Sequence, residues 1–152
     1  MSLATAQIGK CGELLVQYRL LLRGIESAPM STDTGIDLVT YSSALPHPIT
    51  VQVKTNLQAK PGGGTGKFAL DWWVPHNSPA DYIALVDLSS ESIWFLSPAE
   101  LLVHAQQQPT RGLHIYMYTD PSARPRRSDR FAHQFEFEQF KLANRASAVY
   151  GA

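Results

Sequence analysis

The chain has 152 residues, 44% of them hydrophobic and 17% charged, with no net charge at neutral pH. That length suits one domain with a sizeable core, and the neutral balance excludes a wholly basic nucleic-acid-coating surface. A single cysteine, Cys11, excludes an internal disulfide framework. It fits a reducing, cytoplasmic setting. No apolar run approaches a membrane span, and the start lacks a basic region followed by an apolar block, so a protein without membrane contact is expected.

In chain order, Thr5 is placed to cap a helix running to about Arg23. Ile8, Cys11, Leu14, Leu15, Tyr18, Leu21 and Leu22 recur there at helical spacing. Gly24 stands where a left-handed cap is wanted. A short extended piece around Pro29 follows. Ile36–Tyr41 and Ile49–Thr55 are rich in β-branched residues and flank a turn with two prolines, so they read as an antiparallel hairpin. The glycine-rich segment 58–67 reads as a loop. Phe68–Trp73 reads as a strand, and Tyr82–Asp87 with Ile93–Leu96 as a second hairpin.

Ser97, Pro98 and Glu100 form a capping box at a helix start. Leu113–Tyr118 reads as a strand. From Arg130 to Ala146 the F135-E-F-E-Q alternation suggests a strand, but the length and the basic end favour a helix. The order implies one α/β domain over residues 1–152, a mixed central sheet flanked by helices. Its core spans about 5–120, and a basic loop and helix occupy 121–152.

The charge is uneven. Residues 1–110 hold six Lys/Arg against nine Asp/Glu, and residues 111–152 hold seven against four. Much of the late excess lies in R124-P-R-R-S-D-R130. Such a run is a solvated loop or a phosphate grip, and Arg124, Arg126 and Arg127 are candidates for the latter. Lys60 and Lys67 in the glycine-rich loop are further candidates for DNA contact. That loop does not fit a Walker phosphate loop, because Pro61 and Phe68 stand at required glycine and Ser/Thr positions. The five histidines and one cysteine lack zinc-site spacing.

The first hairpin carries the candidate chemistry. A turn centred near residues 45–46 sets Asp37 opposite Lys54. Strand alternation then puts Gln52 and Lys54 on one face. A carboxylate, an amide oxygen and an ammonium would meet there. One reading is a magnesium site, with Asp37, the Gln52 oxygen and the Val53 carbonyl as ligands. The other is an Asp37–Lys54 ion pair on a solvated face of an unrelated α+β domain. Of the adjacent Trp72 and Trp73, one should enter the core and the other face outward.

G9-K-C-G-E13, R23-G-I25, G35-I-D-L38, V51-Q-V-K-T55, D81-Y-I-A-L-V-D87 and I93-W-F-L-S-P-A-E-L101 together resemble the PD-(D/E)XK nuclease superfamily, in its resolvase-like and homing-type branches. The resemblance spans residues 8 to 102. It implies a restriction-endonuclease-like fold and hydrolysis of DNA phosphodiester bonds with Mg2+ or Mn2+. It implies Asp37 as the family aspartate, Gln52 at the second acid's place, Lys54 as the family lysine and Glu13 as the helix-borne glutamate. All four would be catalytic, and Glu13 would join the metal ligands. A homodimer or higher homo-oligomer follows from cutting two strands. Gln52 departs from the usual carboxylate, and Thr34 stands where a proline is common. The glutamine keeps open a second reading, a non-catalytic nuclease-fold module that binds DNA or protein.

Overall fold

The computed structural model describes residues 2–62 and 66–151. The central part of the glycine-rich loop, residues 63–65, lies outside the described residues.

Helix α1 spans Thr5–Leu21, and Thr5 is its first residue rather than its cap. Ala4 caps it instead, its N–H reaching the Gln7 side-chain oxygen at 2.8 Å. At the other end the sequence expectation holds. Gly24 has φ +77°, and Gly24 and Ile25 donate to the carbonyls of Leu21 and Leu20. The buried stripe is Gly12, Val16 and Leu20. Cys11, Leu14, Tyr18, Leu21 and Leu22 remain exposed, contrary to the apolar pattern. The reason is Gly12: a Cβ there would stand 1.9 Å from Thr55 Oγ1, so only glycine lets α1 lie this close.

The following strands are β1 (Glu26–Pro29), β2 (Leu38–Tyr41), β3 (Ile49–Asn56), β4 (Lys60–Pro61), β5 (Phe68–Val74), β6 (Tyr82–Asp87) and β7 (Ser92–Leu96). Helix α2 (Pro98–His104) begins with the predicted capping box, the Glu100 N–H meeting Ser97 Oγ at 3.2 Å. Strand β8 (Leu113–Tyr118) comes next. The ambiguous end resolves into a 3-10 helix, Gln134–Phe140, and helix α3, Leu142–Tyr150. The F135-E-F-E-Q alternation is therefore not a strand.

The central sheet has the order β1-β2-β3-β6-β7, mixed because β3 and β6 run parallel. Phe68–Val74 and Leu113–Tyr118 do not join it. They form a separate three-stranded sheet, β4-β5-β8. Their patterns explain this. In β8, Leu113, Ile115 and Met117 are buried while the residues between them are half-exposed, which marks a sheet with one covered face. In β6, five consecutive residues are buried, as a central strand covered on both faces requires.

The second sheet packs on one face of the central sheet, where Leu70, Trp72, Ile115 and Met117 meet Ile83, Leu85, Trp94 and Leu96. On the other face, Val16 and Leu20 of α1 and Ala146 and Tyr150 of α3 cover Val51, Ala84, Val86 and Phe95. The chain is thus a mixed α/β fold with its central sheet flanked by helices, and with an added antiparallel sheet. Among the described residues no helix is long and apolar enough to cross a membrane.

Candidate active site

The β2–β3 register differs from the expected one. Thr40 pairs with Ile49 and Leu38 with Val51, so Asp37, just before β2, is not set opposite Lys54. The turn is centred one residue earlier than expected. Tyr150 holds it there: its hydroxyl bonds Thr40 Oγ1 at 2.8 Å, and its carbonyl accepts from Ser42 Oγ at 2.9 Å. Burial pushes the Tyr150 phenol up to about 12, so it stays neutral and keeps its proton for this contact. Gln52 and Lys54 share one face of β3, and no Asp37–Lys54 ion pair forms among the described residues.

The Asp37 carboxylate has a specific seat. Its backbone N–H donates to the Val51 carbonyl at 2.9 Å. Its Oδ2 accepts the Val53 N–H at 2.6 Å. The side chain thus prolongs the ladder past the end of β2. In a β-strand, the N–H and C=O of one residue point to the same edge. The Val53 carbonyl therefore projects toward the edge where Asp37 sits. Among the described residues no strand pairs with this edge of β3 beyond Val51, because β2 begins at Leu38.

Local sequence explains why Asp37 sits there. Gly35 has φ +86°, and a Cβ at that position would lie 3.0 Å from Pro79 Cδ. The glycine lets the approach to β2 bend closely against the loop before β6. That loop also carries Ser78, whose hydroxyl donates to Gln52 Oε1 at 2.9 Å. Asp81 fastens it to β3, its Oδ2 accepting the Thr50 N–H at 3.0 Å and the Thr50 hydroxyl at 3.1 Å. The amide of Gln52 is buried and held, and Lys54 is half-buried with no ion pair among the described residues.

Glu13 is placed differently. Gln52 and Lys54 pair with Ile83 and Leu85, whose side chains meet the second sheet. Helix α1 packs on the other face, with Gly12 against Thr55. Glu13 thus reaches the level of Lys54 and Thr55 from across the sheet, and its carboxylate pairs with Lys10 at 3.3 Å. Among the described residues no group of three His, Cys, Asp or Glu is poised to hold a metal ion. The Asp37 carboxylate and the Val53 carbonyl are hard oxygen donors at this edge of β3, the Gln52 amide oxygen is held by Ser78, and all three are of the donor type that magnesium takes.

The basic candidates divide. Lys60, Lys67 and Arg126 line one cleft over the second sheet. Lys67 donates to the Arg124 carbonyl, which ties the glycine-rich loop to the basic run. Arg127 pairs with Asp129 at 2.7 Å and is partly neutralised. Trp72 is core, at 3% exposure, as expected for one of the two tryptophans. Trp73 faces outward, stacked on His114 with ring centroids 4.2 Å apart. Sequence reading missed the Ser78 contribution, because Ser78 belongs to no recognisable local pattern.

No family model matches the chain, and no curated protein matches it. Among solved structures, its fold is similar to that of a bacterial homing endonuclease, I-Ssp6803I. The TM-score is 0.62 at 18% identity, over 96% of this chain and 95% of that one. The chain therefore has the fold of that nuclease.

Proposed function

We propose that the chain is a metal-dependent endonuclease that hydrolyses DNA phosphodiester bonds, as a PD-(D/E)XK-type enzyme with a Q-x-K variant. The seat of the Asp37 carboxylate on the Val53 N–H, between Gln52 and Lys54 in β3, carries this reading. The fold shared with a homing endonuclease supports it. Asp37, the Gln52 oxygen and the Val53 carbonyl would hold Mg2+ or Mn2+, and Glu13 would join them. The ion would supply positive charge to the scissile phosphate. Lys54 would orient the attacking water and stabilise charge gathering on the phosphoryl oxygens. One Asp37 oxygen would face the ion while the other stays on the strand.

Two strands require two sites, so the active form in this reading is a homodimer or higher homo-oligomer.

The test is cleavage of duplex and branched DNA with and without magnesium. Lys54→Ala and Asp37→Asn should each lower cleavage by at least about a hundredfold. Cutting that survives both substitutions sinks the proposed site. The held amide at Gln52, already accepting from Ser78, favours the second reading of a non-catalytic DNA-binding or protein-interaction module. That reading gains if no substrate is cut while DNA binding persists.

A further inference from the structure

The outer face of the second sheet carries a constellation that phosphodiester hydrolysis does not use. A cleft of about 460 Å3 lies there, lined by Lys60, Lys67, Arg126, His114, Tyr116 and Tyr118. The strand register brings the aromatics together: Tyr118 pairs with Ala69, Tyr116 with Asp71, and His114 with Trp73. Small Ala69 opposite Tyr118 leaves room on that face.

The one carboxylate of the cleft is engaged. Asp71 Oδ2 lies 3.0 Å from His114 Nε2, and His114 Nδ1 lies 3.2 Å from Gln107 Oε1. The hydrogen bond from His114 holds the Asp71 carboxyl below its ordinary range, with the charges of His114 and Lys60 adding to it. Three cations therefore set the field of the cleft.

The aromatic floor is also suited to a guest. Trp73 is occupied, with His114 stacked on it and the Arg111 guanidinium 4.1 Å from its ring centroid. Tyr116 differs. Its aromatic neighbours His114 and Tyr118 are inclined at 52° and 44°, so among the described residues no ring lies parallel on it. The Lys67 ammonium stands 5.4 Å from the Tyr118 ring centroid, beside that floor.

We propose that this cleft binds one nucleotide of single-stranded DNA, its phosphate between Lys60, Lys67 and Arg126 and its base against Tyr116. The proposal rests on the reading above for the kind of polymer. Stacking on an aromatic ring tolerates every base, and phosphate contacts supply affinity without sequence. A paired base would have to leave its stack at a cost of a few kcal/mol, so the cleft favours unpaired strands.

The experiment measures anisotropy of a labelled oligothymidylate and of a blunt duplex of equal length, on the full chain without divalent metal. Tyr116→Ala should weaken oligothymidylate binding about tenfold and leave the duplex unchanged, while Tyr116→Phe should bind as the unaltered protein does. Arg126→Ala should flatten the salt dependence on the single strand by about 0.7 of a unit slope. Its exposed side chain makes that variant informative even where Tyr116→Ala is poorly folded. Oligothymidylate affinity that ignores both Tyr116→Ala and Arg126→Ala overturns the cleft, as does absence of oligothymidylate binding. These outcomes are independent of cleavage. A chain that cuts through Lys54 but ignores Tyr116 loses only the cleft. A chain that binds through Tyr116 but cuts nothing loses only the nuclease reading.

Discussion

The Asp37 carboxylate accepts the backbone N–H of Val53 at 2.6 Å, standing in for a strand beyond the end of β2. A hydrogen bond to a charged acceptor contributes about 1.5–3 kcal/mol. Asp37→Ala leaves the Val53 N–H at an open edge where water can reach it, so a loss near the lower end is expected. Urea unfolding should show a drop of about 1–2 kcal/mol for Asp37→Ala and a smaller one for Asp37→Asn, whose amide oxygen can still accept. Equal stability of Asp37→Ala and the parent would mean the seat is not held in solution.

Gly12 and Thr55 meet so closely that the helix-to-sheet distance depends on the absence of a Cβ. Gly12→Ala should destabilise by about 1–3 kcal/mol through overpacking, despite the helix propensity it gains. Thr55→Ala removes the opposing hydroxyl, which is buried without a partner among the described residues. The double variant should therefore recover much of the loss. A double-mutant cycle with no coupling between the two positions would contradict the packing.

Gln52→Glu would add a second carboxylate to β3, one residue before Val53, whose N–H the Asp37 carboxylate accepts. If Gln52 is a metal ligand, calorimetry should find magnesium bound at least about tenfold more tightly, because carboxylates are the preferred protein ligands of that ion. The Ser78 hydroxyl can donate to either side chain, so the substitution should preserve the fold. Unchanged magnesium affinity would remove Gln52 from the ligand set.

Glu100 links the start of α2 to α3 through Arg145 at 2.5 Å. Burial alone would push its carboxyl up, but the hydrogen bonds from Arg145 and Ser97 outweigh it and hold the group below its ordinary range. A depressed folded pKa means the unfolded chain takes up this proton first. The contribution is full above the ordinary carboxylate range and fades as pH falls through the lowered folded value. Melting temperatures measured on descending pH should fall less steeply for Glu100→Gln than for the parent. Parallel curves would show that the pair contributes nothing to acid sensitivity.

Much of the fold is legible where a local rule dominates. Gly24 ends α1 because the left-handed cap suits glycine, and Ser97 with Glu100 starts α2 because the box satisfies two free N–H groups. The Q-x-K alternation in β3 likewise put Gln52 and Lys54 on one face, since the strand period is two. Helix α1 was misread because exposure of an apolar side chain is not a local property. Cys11, Leu14 and Tyr18 have helical spacing, but the flat Gly12 side fits closest to the sheet.

By itself, the sequence determined most of the long helices and strands, the caps at Gly24 and Ser97 and the shared facing of Gln52 and Lys54, because these follow from backbone periods and single-residue chemistry. Tertiary structure alone decided the partner of Asp37, the face that carries Glu13 and the separation of β5 and β8 into their own sheet. Each depends on residues distant in the chain. Tyr150 pins the β2–β3 turn, Gly12 meets Thr55, and the two apolar faces of β6 each need a covering layer.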